Sequence, residues 1–289
     1  MRKYSKRLVA GLVVLAFMVP LVFGYFHGKT LAVLAPKGQI AVKEKGLMEL
    51  TVTLGLLVII PVFILMFSFA WRYREGNTKA KYSPHLTGNL VAETVWWAIP
   101  IAIIGVLAVV AWNTSHSLDP HRPIASNGPA MPIQVVALDW KWLFIYPQQH
   151  VASVNYLQLP VGQPVTFTIT ADAPMNSFWI PQLGGQIYAM AGMTTQLNLV
   201  ADHAGNYRGS SANLSGKGFA GMRFVARADT EQAFTKWVAT ARQSATTLDL
   251  AGYNQLAKPS ENNPVHVYAS VDPQLFNTIM LKYMGPERS

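Results

Sequence analysis

Glu93 opens a long apolar run in Val91-Ala92-Glu93-Thr94-Val95-Trp96-Trp97. A carboxylate there can pass protons at a membrane boundary, or it can simply favour the positive end of a helix dipole. Soft metal donors are a second candidate chemistry. Met175, Met190, Met193 and Met222 fall in one part of the chain, but thioethers alone are weak ligands except for Cu(I), and no histidine lies between Met175 and Met193 or beside Met222. Packing by flexible side chains is the plainer reading of these methionines. The seven histidines are scattered and form neither an HExxH nor an HxH pattern. Trp140 and Trp142 read as an aromatic cluster for core and interface packing. The chain has no cysteine. That excludes a disulfide, an iron–sulfur cluster, a thiolate metal site, a cysteine nucleophile and a cysteine-borne lipid anchor. No G-x-S-x-G elbow supports a serine hydrolase.

The elements that must carry these residues are set by hydropathy and charge. Of 289 residues, 51% are apolar and 13% charged, about half the charged fraction of a soluble globular domain. The net charge of +9 is confined to residues 1–90, which hold twelve Lys/Arg against three Asp/Glu; residues 91–289 hold eleven of each. This distribution marks membrane topology and excludes nucleic-acid binding. Between Glu49 and Arg72 lie 22 residues without a formal charge, and between Glu93 and Asp119 another 25. Both stretches are long enough to cross a bilayer as helices, at about 48–71 and 94–113. Residues 1–27 read as a signal sequence or a retained first helix. The basic n-region and the Arg72, Arg74, Lys79, Lys81 loop belong in the cytoplasm, and residues after about Asn113 are exported.

After Trp112 a Pro/Ser/Gly/His-rich stretch gives way to short alternating runs. Residues 119–132 read as a linker. Ile133–Ala137, Ser153–Leu159, Val165–Thr170, Thr195–Val200 and Met222–Ala228 read as strands separated by Gly and Pro turns, the pattern of a β-sandwich over residues 133–228. From Asp229 the periodicity is helical, with Asp229 or Thr230 as the cap and Phe234, Trp237, Val238 and Ala241 on one face. Two shorter helical patterns follow near Leu248–Leu256 and Pro273–Met284, so residues 229–289 form a helical arm. The fold class is membrane α + β: N-terminal transmembrane helices, an exported β-sandwich and a C-terminal helical extension.

Three passages carry a family resemblance: Leu138-Asp139-Trp140-Lys141-Trp142-Leu143-Phe144-Ile145-Tyr146-Pro147; Ala173–Pro181 with Gln186–Met193; and Ser211–Met222. With the helical hairpin before them, they resemble subunit II of cytochrome bo-type ubiquinol oxidases, the quinol branch of the haem–copper oxidase superfamily. The resemblance runs from about Pro36 to the C-terminus and implies a cupredoxin-like sandwich. Copper-bearing relatives in the cytochrome c branch hold a dinuclear centre on a distant His followed by Cys-x-Glu-x-Cys-x-x-x-His-x-x-Met. In this chain the corresponding positions are Asn176, Ser211, Asn213, Ser215, Phe219 and Met222, and only Met222 keeps the ligand type. Neutral serine hydroxyls cannot replace bridging thiolates, so no metal is expected here.

The resemblance implies a non-catalytic subunit of a proton-pumping complex that oxidises ubiquinol and reduces dioxygen to water in a bacterial inner membrane. Haems and active-site copper would lie in subunit I, with this chain binding no cofactor. Its partners would be subunit I, further small membrane subunits and lipid, but not cytochrome c. Glu93 matches a subunit II glutamate at the mouth of a proton channel and is the proton-entry candidate. Trp140 and Trp142 match a cluster that relays electrons in copper-bearing relatives. Two alternatives remain at this stage: a cytochrome c oxidase subunit II, and an anchored cupredoxin-like binding or assembly module without an oxidase partner.

Overall fold

The computed structural model describes residues 31–80, 88–125 and 128–283. The expected signal or first helix lies outside the described residues, as does Lys81. Two long helices come first, α1 (Gln39–Arg72) and α2 (Leu90–Ser117). Each exceeds the roughly 20 apolar residues needed to cross a bilayer. Val52, Leu56, Ile59, Ile60 and Phe63 of α1 and Trp97, Ile101, Ile104 and Val109 of α2 are exposed in the chain. Helices apolar all round are not built to face water. Hydroxyls inside them are satisfied locally: Thr51 donates to the Leu47 carbonyl at 2.8 Å and Thr94 to that of Leu90 at 2.8 Å. Helix α1 starts earlier than hydropathy alone suggests, because its charged first turns are held by protein. Lys37 N donates to Gln182 O and Ala41 N to Leu183 O.

The chain divides into two compact units. One contains α1 from Gly46 onward and α2. The other joins residues 32–45 to the described residues from Leu118 onward and is built around a two-sheet sandwich. Its strands are β1 (Met131–Leu138), β2 (Lys141–Tyr146), β3 (Val151–Val154), β4 (Tyr156–Pro160), β5 (Val165–Ala171), β6 (Asn176–Trp179), β7 (Ile187–Ala189), β8 (Thr195–Leu199), β9 (Gly205–Ser211), β10 (Arg223–Asp229), β11 (Thr247–Leu248), β12 (His266–Tyr268) and β13 (Ser270–Val271). The first sheet has the order β12-β3-β2-β1-β5-β8 and the second β4-β10-β9-β6-β7; β11 and β13 form a small third pair. Strand β1 is parallel to β5 and β4 to β10, with the other main pairings antiparallel.

The sequence predicts one strand over Ser153–Leu159; the structure breaks it at Asn155. That residue takes a left-handed backbone (φ 55°), a conformation to which asparagine is well suited. Its Oδ1 accepts from Trp142 N at 2.9 Å, and its Nδ2 donates to Asn263 O at 2.9 Å. The chain changes sheets at this point, β3 lying in the first and β4 in the second.

Strand β2 is buried at every position, which explains why Lys-Trp-Leu-Phe-Ile-Tyr does not alternate apolar with polar. Trp142, Phe144 and Tyr146 point into the sandwich core. Leu143 and Ile145 point the other way, into a second core with Val136, Leu138, Ala152 and Val154. The C-terminal arm covers that second face through Leu248, Tyr253, Val271, Leu275, Phe276 and Ile279. The arm follows α3 (Glu231–Ala241), which is capped by Thr230 and inserts Phe234, Val238 and Ala241 into the first core. It contains α4 (Leu250–Leu256), capped by Asp249, and α5 (Leu275–Leu281).

Candidate functional site

The six positions that the resemblance sets against the copper-ligand pattern are brought together by β6, the end of β9 and the loop leading to β10. Strands β6 and β9 pair with Phe178 opposite Ser211, which sets Asn176 beside the loop start. Ser211 Oγ donates to Asn176 Oδ1 at 2.9 Å and lies 3.2 Å from the Asn213 carbonyl. Asn176 Nδ2 in turn donates to Pro174 O at 2.7 Å, and Asn213 Nδ2 to Met175 O at 2.9 Å. Met222 is fully buried, and its carbonyl accepts from Ser211 N at 3.2 Å. Ser215 is buried too, but its Oγ has no hydrogen-bond partner among the described residues. Phe219 sits half-buried on a short 3-10 turn, Phe219–Gly221.

The donor set decides the chemistry. Two neutral hydroxyls, two amides and a phenyl ring stand where a dinuclear copper centre needs thiolates and imidazoles, leaving one thioether. These residues do not fit such a centre. Asn176, Ser211 and Asn213 instead bond to one another and to the backbone, as polar groups withdrawn from water generally do, while Ser215 Oγ has no partner among the described residues.

The two tryptophans take different places. Trp142 is fully buried, with ring centroids 5.4 Å from Phe178 and 5.9 Å from Phe224; Phe178 and Phe224 stack at 5.3 Å. Gly209 makes room for this stack, since a Cβ there would fall 2.0 Å from the Phe224 ring. Trp140, in a left-handed backbone (φ 72°), lies against the loop that follows β9. Its Nε1 donates to Ser215 O at 3.1 Å, and a Cβ on Gly218 would come within 2.4 Å of its indole. Trp140 thus fastens the loop from Ser215 to Gly218.

Glu93 lies in the first turn of α2 and is half-buried. Asn89 caps that helix, its Oδ1 accepting from Ala92 N at 3.1 Å, while Glu93 Oε1 accepts from Asn89 N at 3.3 Å. This reciprocal arrangement is a capping box in kind.

A further cluster, not foreseen from the sequence, centres on Asp172 at the end of β5. Its side chain is 2% exposed. It accepts from Tyr253 Oη at 2.6 Å, from Lys282 Nζ at 2.7 Å and from the Tyr283 hydroxyl, all donors supplied by the arm. Burial pushes the Asp172 carboxyl up, but the hydrogen bonds from Lys282, Tyr253 and Tyr283 outweigh it and hold the group below its ordinary value. The same geometry, after burial, pushes the Tyr283 phenol up to about 12. Only the aromatic content of the arm hinted at this cluster; no local motif joins Asp172 to residues 81 to 111 positions away.

The comparisons with known proteins agree with this geometry. Residues 147–229 match the family model described as cytochrome c oxidase subunit II, periplasmic domain, and residues 242–287 match the one described as COX aromatic rich motif. The sandwich therefore has the class of an oxidase subunit II domain. Cytochrome bo(3) ubiquinol oxidase subunit 2 of Pseudomonas putida is 51% identical over 88% of this chain and 81% of its own length. The protein of the same name from Pseudomonas aeruginosa is 48% identical over 86% of this chain and 75% of its own. Ubiquinol oxidase subunit 2 of Acetobacter aceti is 47% identical over 89% and 84%. The chain belongs to the ubiquinol oxidase subunit 2 family.

Proposed function

We propose that this chain is subunit II of a proton-pumping complex that oxidises ubiquinol and reduces dioxygen to water, and that it serves that reaction without carrying a redox centre. Two ubiquinol molecules each release two electrons and two protons, and the four electrons with four protons convert one dioxygen to two waters. The observation that carries the reading is the hydrogen-bonded Ser211–Asn176 pair, with Ser215 and Phe219 at the other donor positions. A domain built this way cannot accept an electron from a soluble carrier, so the donor must reach the membrane-embedded partner directly. A lipid-soluble quinol does so.

In this reading haems and active-site copper belong to subunit I, and further small membrane subunits complete the assembly. Helices α1 and α2 supply apolar surface to the bilayer and to those partners. The sandwich lies on the periplasmic side of the inner membrane, as does the start of α1, since residues 32–45 belong to the same compact unit. The basic turn at Arg72, Arg74 and Lys79 then lies in the cytoplasm, as the positive-inside rule favours. Glu93, on that same side, collects protons for subunit I.

Oxygen uptake by the purified complex tests the proposal. Ubiquinol is expected to support turnover, and the chain is expected to co-purify with a haem-containing, many-helix subunit. A preparation free of haem would contradict the reading and favour an anchored module without an oxidase partner.

A further inference from the structure

Antiparallel pairing of β9 with β10 sets Arg208 opposite Val225 and Ser210 opposite Arg223. Arg208 and Arg223 therefore stand one diagonal step apart on the outward face of the second sheet, close enough for long side chains to meet. Both are exposed, and both line two hollows that adjoin at this pair. The larger, of 570 Å³, runs between the sheet and the arm and is walled by Asn155, Asn206, Asn263, Pro264 and Val265. The smaller, of 320 Å³, is floored by Ser211 and Met222 and edged by Ser210 and Phe219.

Among the described residues no carboxylate lines either hollow. Asp229 bonds Arg227 at 2.9 Å and Glu261 lies 3.4 Å from Lys217. Neither Arg208 nor Arg223 has an ion-pair partner among the described residues. Two like charges held side by side on one sheet face repel. An oxyanion removes that cost and meets donors shaped for it, because a guanidinium presents a planar fork that matches carboxylate and phosphate geometry. Asn206 adds an amide to the larger hollow and Ser210 a hydroxyl to the smaller. The hollows have the size of small-molecule sites, and Pro264, Val265 and Phe219 give apolar wall for a carbon body.

We infer that Arg208 and Arg223 form a binding site for a phosphate- or carboxylate-bearing ligand, held between the former metal loop and the C-terminal arm. The ligand is either a free oxyanion or the headgroup of an anionic lipid, and one experiment separates the two. The purified oxidase complex containing the full chain is titrated with inorganic phosphate, ionic strength being held with chloride, and its apparent Tm is followed. The delipidated complex is then exposed to phosphatidylglycerol vesicles and the retained lipid is counted. The wild type is expected to bind one of these probes saturably, R208Q/R223Q at least about tenfold more weakly, and R208K/R223K in between because charge remains without the fork. A phosphate-dependent rise in Tm that R208Q/R223Q lacks identifies a free oxyanion. Lipid retention that the same variant loses, with no phosphate response, identifies a headgroup. Binding of neither probe, or binding unchanged in R208Q/R223Q, overturns the inference.

Discussion

At the scale of single residues, Ser211 and Ser215 are chemically alike but sit in opposite situations. Ser211 donates to Asn176 inside the protein, and its removal strands a buried amide oxygen. Ser211→Ala is therefore expected to lower stability by about 1–2 kcal/mol. Ser215 Oγ has no partner among the described residues, so Ser215→Ala removes an unsatisfied hydroxyl and is expected to be neutral or slightly stabilising. Apparent Tm of the purified complex, read by tryptophan fluorescence, compares them; equal losses would show that the network is not what distinguishes the positions. Glu93 needs a finer substitution than alanine, because its carboxylate also closes the helix cap with Asn89. Glu93→Gln keeps an oxygen acceptor for Asn89 N but cannot carry a proton in the same way. Slower ubiquinol turnover with intact assembly in this variant supports proton entry, while wild-type turnover assigns Glu93 to capping alone.

At the scale of elements, the arm is held by one carboxylate as well as by its apolar face. Asp172→Asn leaves Lys282 without its counter-charge and weakens the bonds from Tyr253 and Tyr283, at an expected cost of about 2 kcal/mol. Because the folded carboxyl lies below its ordinary value, its contribution is present above the unfolded pKa and is lost as pH falls through the folded one. The arm should thus stay docked through mildly acidic pH and loosen only in stronger acid, whereas Asp172→Asn, with no carboxyl to protonate, should be looser already at neutral pH and show little of this acid dependence. Hydrogen exchange across residues 248–281 would report this; identical protection in both proteins would exclude the latch. The two long helices were legible in the sequence because uncharged length has few other uses. So were β1, β5, β8 and β10, which show runs with turn residues around them. Strand β9 was hidden because Gly209, which yields space to Phe224, weakens a strand pattern. Strand β2 lost its alternation to burial on both faces, and the break at Asn155 depends on a side-chain bond to Trp142 that no local pattern announces.

At the scale of the whole molecule, the chain has the sandwich of an oxidase subunit II domain, and the positions that the resemblance sets against the copper-ligand pattern hold two amides, one bonded hydroxyl and one without a partner among the described residues, a phenyl ring and one thioether. The absence of thiolate and imidazole donors from Ser211–Met222 is readable in the sequence itself. What holds the loop from Ser215 to Gly218 was not readable, since Trp140 reaches it only through the fold. Gly218→Ala tests that fastening: a Cβ 2.4 Å from the indole must displace Trp140, with an expected loss of about 1–3 kcal/mol and a shifted tryptophan emission. Electron entry is the consequence that matters most for function. Mixing the oxidised complex anaerobically with reduced cytochrome c, or separately with ubiquinol, while recording haem absorbance tests it directly. Ubiquinol should reduce the haems within turnover time and cytochrome c should leave them oxidised; prompt haem reduction by cytochrome c would contradict the account.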